Sequence, residues 1–479
     1  MNRRTFLWQG VCSTLPLVAG RSFSQQAAPR SSPKMSDSTL KAFGRRLAGT
    51  VFMPGDARYE KLRSGYAAKY ASHPALIVHP LNTHDLQKTL EFVTAHQLPL
   101  AIRCGGHSYG GYSTCEGGLV IDMSGFDSIE INAAKSRARI GAGLRCGKVD
   151  METAKTGVAT VLGQCPSVGV GGYLLGGGLG PLMGKHGLGC DNVLAVEIVL
   201  ADGRVVRANA EENPDLYWAL RGGGGNFGIV TAFDVALHPV PIVYAGDITL
   251  EAEDPREFLR AYRDCVAMAP DDLTLIARVW AEPRKKPQIT VQACYLGEEV
   301  PGKKVLAGLR QYRRVIADSI QMRRYLALEQ TVPADIPPSY HEHAGGFFAQ
   351  LDDQRIEVLA SAFANVAMPS DCFLTHLHGA VARVPVDATA FPLRRSGIAC
   401  DAAAYWTPPD GQKAAKEWTD ALKRTLPVDA DGSYVNGMDR EGEDGVRRAY
   451  GTNYALLQHI KKKYDPENVF ALNQNIRPA

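Results

Sequence analysis

Two residues suited to chemistry, a histidine and a cysteine, stand beside glycine-rich backbone in this sequence. His107 ends the stretch Arg103-Cys104-Gly105-Gly106-His107, and Cys165 follows 58 positions later in Gln164-Cys165-Pro166. Adjacent glycines let the backbone approach a ligand closely, and their N–H groups can bind an anion. Arg103 adds a charge suited to phosphate. This pattern predicts backbone wrapped around a large flat or phosphorylated ligand.

Glycine is concentrated in the same part of the chain. Of the 479 residues, 48 are glycine, and seven of them fall between Gly169 and Gly180. Such a density is incompatible with a regular helix or a central strand. A second run, Gly222–Gly228, leads into a strand-like segment. Both runs indicate a binding site.

These motifs resemble those of the vanillyl-alcohol-oxidase-type flavoproteins, specifically the berberine-bridge-enzyme-like FAD-linked oxidases. The resemblance implies that His107 bonds the flavin 8α-methyl group and Cys165 bonds carbon 6, so that FAD is held bicovalently. The alternatives are a structural turn histidine and a buried thiol. The resemblance also implies further cofactor-binding residues: Arg103, Gly105, Gly106, Ser108, Val168, Gly169, Gly171, Gly172, Gly176, Gly225, Asn226, Gly228, Ile229, Val230, Asn473 and Gln474.

The catalytic base is harder to assign. Alcohol oxidation needs a base for the hydroxyl proton, and the resemblance places it in a Tyr-x-Asn-Tyr segment. Tyr434 and Asn436 are present here, but Gly437 stands at the expected second tyrosine. His376 and His378 are further catalytic candidates, which strand alternation puts on one face. Aromatic packing for Tyr434 and ordinary core or surface positions for the histidines are the alternatives.

No metal site is predicted. In His341-Glu342-His343 three neighbouring side chains cannot face one ion, so this segment is predicted to be a surface loop. The ten cysteines include no CxxC pair and no zinc-type spacing. Whether Cys104 and Cys115 form a disulfide stays open.

The order of predicted elements indicates more than one domain. A strand at 75–78, a helix at 83–96 and a strand at Leu100 predict a βαβ unit. After residue 240 we predict helices over 255–269 and 303–316, with strands over 274–280, 289–295 and 373–384. The resemblance implies an α+β, two-domain FAD-binding fold: an FAD-binding domain (40–240), a substrate domain built on an antiparallel sheet (241–430), and a C-terminal segment returning to the first domain (431–479).

The N-terminal segment carries a predicted targeting signal. Residues 1–28, with Asn2-Arg3-Arg4-Thr5-Phe6-Leu7, resemble a twin-arginine signal peptide, which implies a periplasmic or secreted protein; a disordered basic terminus is the alternative. No membrane association beyond this signal is expected, since its apolar part is too short to span a bilayer. A net charge of +3 without a basic stripe argues against nucleic-acid binding.

The resulting functional expectation is an exported FAD-dependent oxidase. It would transfer hydride from an alcohol or sugar carbon to the flavin and be reoxidised by O2, releasing hydrogen peroxide. The resemblance associates valine three residues after the flavin cysteine, here Val168, with oxidases. A dehydrogenase using another acceptor, or a flavin-containing binding protein without turnover, are the alternatives.

Overall fold

The computed structural model describes residues 35–479 apart from 253, 312–314, 330–335 and 430–431. The predicted signal peptide, residues 1–28, lies outside these residues. Within the described part of the chain, no helix combines the length and apolar character needed to span a membrane.

The strands fall into three main sheets. Their bounds are β1 (Thr50–Phe52), β2 (Leu76–His79), β3 (Leu100–Arg103), β4 (Leu119–Asp122), β5 (Ile129–Asn132), β6 (Arg137–Gly141), β7 (Val158–Ala159), β8 (Val193–Val199), β9 (Val205–Ala208), β10 (Ile229–Ala236), β11 (His238–Pro239), β12 (Ile242–Glu251), β13 (Leu273–Ala281), β14 (Gln288–Tyr295), β15 (Val315–Asp318), β16 (Gln321–Arg324), β17 (Tyr340–Phe348), β18 (Ser370–Leu377) and β19 (Gly397–Trp406).

The helices connect these strands and cover the sheets. Their bounds are α1 (Asp37–Gly44), α2 (Tyr59–Arg63), α3 (Thr83–His96), α4 (Cys146–Ala154), α5 (Val170–Leu175), α6 (Met183–His186), α7 (Pro214–Leu220), α8 (Pro255–Ala267), α9 (Glu299–Val305), α10 (Ala307–Arg310), α11 (Leu326–Glu329), α12 (Asp353–Ala364), α13 (Ala380–Arg383), α14 (Gln412–Thr425), α15 (Gly442–Tyr450) and α16 (Tyr454–Tyr464).

The first sheet delivers the histidine turn. Its order is β1-β2-β4-β3, with β2, β4 and β3 parallel. Helix α3 starts where the Asn82 side chain accepts a hydrogen bond from the Asp85 backbone N–H at 2.9 Å, which satisfies a free donor at the helix start. The crossover from β2 through α3 to β3 is the predicted one, although β4 lies between the two strands. The turn containing His107 therefore leaves the carboxyl end of a parallel strand.

The second sheet is antiparallel and carries the second glycine run. Its order is β5-β6-β10-β8-β9, and β10 begins directly after Gly228. The C-terminal helix α16 packs here, since Leu457 and Ile460 are buried in the same apolar cluster as Val196 and Phe227. The C-terminal segment thus closes one side of this domain.

The third sheet forms the second domain. Its strands pair antiparallel in the order β15-β12-β14-β13-β18-β19-β17, and β16 also pairs with β12. Helices α8 and α12 cover one face, with Phe258, Tyr262 and Leu359 buried against the sheet. The opposite face of this sheet borders the cavity described in the next subsection. The predicted α+β class with an antiparallel second sheet is confirmed.

Two predicted elements after residue 240 are wrong in extent. The helix predicted over 303–316 is replaced by α9, α10 and the edge strand β15, because residues from Val315 onward pair with β12. The strand predicted over 373–384 ends at Leu377, because Gly379 turns the chain at a φ of +58° and α13 follows.

Candidate active site

A cavity of about 930 Å³ lies between the glycine-rich turns of the first domain and the third sheet. Its volume is in the range of small-molecule and cofactor sites. His107 and Cys165 both line it. The histidine, the cysteine and the open sheet face are therefore brought to one place.

His107 and Cys165 converge on a shared neighbour, Ser167. The His107 Nε2 atom is 3.0 Å from Ser167 Oγ, and Cys165 Sγ is 3.3 Å from the same oxygen. The Tyr66 ring stacks on the His107 imidazole with centroids 5.7 Å apart. Both reactive side chains thus face the same part of the cavity.

The prediction that the glycine run 169–180 excludes a helix is wrong, because Val170–Leu175 form the short helix α5. The turns that carry Gly105 and Gly169 pack backbone to backbone. A Cβ added to Gly105 would lie 2.2 Å from the Gly169 nitrogen, and one added to Gly169 would lie 2.1 Å from the Gly105 nitrogen. By contrast, a Cβ added to Gly172 or Gly225 would meet nothing within 4 Å. Since both of these residues line the cavity, the backbone there is open to a flat ligand. We call this surface, formed by the turns at Gly105 and Gly169 and the open backbone at Gly172 and Gly225, the cradle. Its shape fits FAD.

Most of the predicted cofactor residues line the cavity. Besides His107 and Cys165 they are Gly105, Gly106, Ser108, Val168, Gly169, Gly171, Gly172, Gly225, Asn226, Gly228, Val230, Asn473 and Gln474.

Three predicted cofactor residues lie outside the cavity lining. Arg103 stabilises the turn that contains His107. Its Nη1 donates to the Ser64 carbonyl at 2.6 Å, and its guanidinium occupies the space beside Gly106. Gly176 makes room for Asn436 Oδ1, which would lie 2.1 Å from an added Cβ. Ile229 is fully buried in the apolar core of the first sheet. These residues support the cradle.

Tyr434 and Asn436 both line the cavity, as expected. The Asn436 Nδ2 donates to the Tyr434 hydroxyl and to the Tyr173 carbonyl, each at 3.1 Å. Burial raises the pKa of Tyr434 to about 12. A phenol with this pKa stays protonated near neutral pH, so Tyr434 is better suited to donating or accepting a hydrogen bond than to acting as the base.

The structure does not bring His376 and His378 to the cavity. Their rings do share one side, stacked 4.3 Å apart, but it is the side away from Asp371, Phe373 and Thr375, which line the cavity. The His378 Nε2 bonds the Leu273 carbonyl at 2.9 Å, and burial lowers the pKa of His376 to about 3. The alternation along the strand correctly put both histidines on one face, but it could not show which face of the strand borders the cavity.

The surface-loop prediction for His341-Glu342-His343 is wrong. These residues belong to β17, where His341 is fully buried and His343 is 3% exposed. Glu342 points to the other strand face and accepts from Lys69 Nζ at 2.9 Å. Over the described residues, no group of three or more candidate ligands is placed to hold a metal ion.

The face of the third sheet that lines the cavity carries polar and aromatic residues that the sequence did not reveal. Arg278 donates to Asp371 through Nη2 at 2.7 Å and Nε at 3.0 Å, and the Tyr405 hydroxyl is 3.1 Å from the other Asp371 oxygen. Asp401 lies nearby and accepts from His343 Nε2. The alternation of Asp371 and Thr375 with apolar residues along β18 was the available signal.

Comparison with known proteins agrees with this architecture. Residues 74–209 match the family model for an FAD binding domain, and residues 433–477 match the model described as berberine and berberine like. The crystal structure of 6-hydroxy-D-nicotine oxidase from Arthrobacter nicotinovorans superposes with a TM-score of 0.83 at 28% identity, covering 90% of this chain and 98% of that one.

Two curated relatives match nearly the whole chain. The (R)-6-hydroxynicotine oxidase of Paenarthrobacter nicotinovorans is 31% identical over 450 residues, covering 90% of this chain and 97% of the relative. A chitooligosaccharide oxidase of Gibberella zeae is 26% identical over 456 residues, covering 88% and 91%. The chain therefore belongs to the berberine-bridge-enzyme-like FAD-binding oxidoreductases of the vanillyl-alcohol-oxidase superfamily.

Proposed function

We propose that this protein is an exported oxidase that removes hydride from the hydroxyl-bearing carbon of a neutral alcohol or sugar and passes the electrons to O2, releasing hydrogen peroxide. The FAD is proposed to be bicovalent, through His107 and Cys165. The observation that carries the cofactor proposal is their convergence on Ser167 within one cavity. Export rests on the twin-arginine pattern at residues 2–7.

The charges around the cavity support a neutral substrate. Asp371 is paired with Arg278, and Asp401 with His343. At the rim, Lys423 Nζ lies 3.4 Å from Glu441. Asp247 also lines the cavity, and burial raises the pKa of its carboxyl, which favours the uncharged form. With the other charges paired, a charged substrate gains little attraction, whereas hydroxyl groups can bond to the polar side chains.

The aromatic side chains favour a ring-shaped substrate. Tyr66, Tyr109, Tyr405 and Phe373 all line the cavity. Tyrosine offers an apolar ring face together with a hydroxyl that can hydrogen bond. Such a wall suits a carbohydrate or another cyclic alcohol, whose faces are partly apolar.

The chain's own residues have defined tasks in this reaction. The glycine turns and the segment around Asn473 would hold FAD, which supplies the hydride acceptor when bound. His107 and Cys165 fix its position, and Asn436 with Tyr434 offers hydrogen bonds at the cavity wall. The polar sheet face orients the hydroxyl-bearing carbon, and the buried aromatic rings exclude water.

Anaerobic mixing tests this proposal. Holoenzyme is mixed with neutral oligosaccharides, simple sugars, cyclic alcohols and cationic amines, and flavin absorbance is followed before and after air is admitted. We expect bleaching by one or more neutral hydroxyl compounds, followed by recovery of colour with one hydrogen peroxide per turnover. Bleaching by amines alone would contradict the alcohol proposal, and recovery requiring an added acceptor would contradict the oxidase proposal.

A further inference from the structure

Two buried cysteines on neighbouring strands of the third sheet have their sulfur atoms in contact. Cys372 belongs to β18 and Cys400 to β19, and the two Sγ atoms are 3.4 Å apart. Cys372 is fully buried, and Cys400 is 4% exposed. A movement of about 1.4 Å would bring the two sulfur atoms to the length of a disulfide bond. The alcohol oxidation proposed above uses neither thiol.

The pairing of the two strands holds these thiols together. Cys372 lies opposite Ala402, and Cys400 lies opposite Leu374, so the cysteines are diagonal neighbours across the ladder. Both belong to the apolar cluster between the sheet and helices α8 and α12. Because the strands are hydrogen bonded on both sides of this point, the fold itself keeps the two sulfur atoms adjacent.

The two cysteines differ in their access to the cavity. Cys400 is one of the residues that line it, whereas Cys372 is not. Hydrogen peroxide is small and uncharged, and the proposed oxidase reaction would release it into this cavity. A peroxide molecule would therefore meet Cys400 before Cys372.

We propose that Cys372 and Cys400 form a modification site, at which hydrogen peroxide made by the enzyme converts the two thiols to a disulfide. Peroxide first passes one oxygen atom to the Cys400 sulfur. Its O–O bond breaks, a sulfenic acid forms and one water leaves. The Cys372 sulfur then attacks, so that the S–O bond breaks, the S–S bond forms and a second water leaves. The two thiols together lose two electrons, and one peroxide is reduced to two waters.

This oxidation should be slow compared with turnover. The reactive form of cysteine is the thiolate. The hydrogen bond with Cys400 and burial together raise the pKa of Cys372 and so disfavour its thiolate. We therefore expect the disulfide to accumulate over many turnovers.

The disulfide would close a loop that contacts the first domain. The two cysteines are 28 positions apart. Between them, Arg394 donates to both carboxylate oxygens of Asp191 at 2.7 Å, and the Ala390 N–H donates to the Trp218 carbonyl at 3.2 Å. Closing this loop restricts the unfolded chain, which stabilises the folded protein.

Peroxide treatment without substrate tests the site directly. Holoenzyme is reduced, desalted and incubated with hydrogen peroxide; it is then unfolded in an alkylating reagent and mapped by mass spectrometry. We expect a peptide pair joined through Cys372 and Cys400. Cys265→Ser is the matched control, because Cys265 is a half-buried thiol of the same domain whose Sγ lies 3.8 Å from the Val305 carbonyl. This variant should form the bond as the wild type does.

Two results of this treatment would overturn the proposal. One is complete alkylation of both cysteines after peroxide treatment. The other is a disulfide that forms equally fast in desalted enzyme without peroxide, which would exclude peroxide as the oxidant.

Single variants test the order of the two steps. A reagent that traps sulfenic acid should label Cys400 in peroxide-treated Cys372→Ala, because the second thiol is missing. In Cys400→Ala we expect at least 10-fold less label on Cys372, which does not line the cavity. Equal labelling in the two variants would contradict Cys400 as the first site of attack.

Thermal unfolding tests the consequence for stability. The peroxide-treated holoenzyme should unfold at a midpoint about 5 °C above that of the reduced holoenzyme. In Cys400→Ala, peroxide treatment should leave the midpoint unchanged. Equal midpoints for the oxidised and reduced wild type would contradict the stabilising role.

Turnover tests the source of the peroxide, which is the part of this inference that rests on the proposed oxidase function. The disulfide should accumulate during aerobic turnover with the best compound of the panel, and the thiols should persist when the same compound reduces the flavin without O2. Unchanged thiols after turnover with measured peroxide release would overturn this source. If no compound reduces the flavin, the proposed function fails, while added peroxide still supports or rejects the site.

Discussion

Val168→Ile should slow reoxidation of the reduced enzyme by O2 by about 10- to 200-fold, the range in which one methylene changes fit in an apolar pocket. Val168 lines the cavity three residues after Cys165. Its backbone is fixed, since its N–H donates to the Cys165 carbonyl and its own carbonyl accepts from Cys146. Gly169, with no side chain, follows it. An added methylene would therefore fill space in the cavity, because tightly packed surroundings relax only partly.

Stopped-flow measurement of the two half-reactions checks this prediction. Flavin reduction by substrate should be nearly unchanged, while reoxidation slows. Val170→Ile is the matched control, because Val170 is fully buried in the apolar core and does not line the cavity. Equal slowing of both half-reactions in Val168→Ile would mean that the substitution disturbs the flavin itself.

Lys461→Met should lower the free energy of unfolding by about 3–5 kcal/mol, the cost of leaving a buried charge without its partner. Lys461 Nζ and Asp465 Oδ2 are 2.7 Å apart, and both side chains are fully buried. The same ammonium donates to the carbonyls of Asn226 and Phe470. It therefore ties the glycine run to the C-terminal segment that lines the cavity.

Urea unfolding of the holoenzyme and its variants measures this effect. In Lys461→Met/Asp465→Asn the buried charge is gone. The N–H groups of Val469 and Phe470 donate to different oxygens of Asp465, so the single amide oxygen of the asparagine can accept from one of them. We expect the double variant to be more stable than Lys461→Met alone. A double variant at least as unstable as the single one would show that the carbonyl contacts, and not the charge, dominate.

The glycine-rich side of the cavity could be predicted from the sequence, because that side is built from local chain. The turn with His107 and the run after Cys165 carry their glycines in the motifs themselves, and the backbone contacts between Gly105 and Gly169 explain why. Helix α3 was also predictable from its own residues, with Leu86, Leu90 and Val93 buried on one face.

The substrate side could not be predicted in the same way, because it depends on pairing between distant strands. Asp401 and His343 are 58 residues apart and meet only through the pairing of β17 with β19. His376 was chosen on a strand whose cavity face belongs to Asp371 and Thr375. Alternation fixes which residues share a face, but only the packing of α8 and α12 decides which face is covered.

Acid precipitation of the holoenzyme tests the proposed flavin attachment through His107 and Cys165. Acid unfolds the protein and releases flavin that is not covalently bound. We expect the yellow colour to stay with the pellet in wild type, in His107→Ala and in Cys165→Ala, and to leave only in the double variant. Release of the flavin from the wild-type protein would show that neither residue holds it covalently.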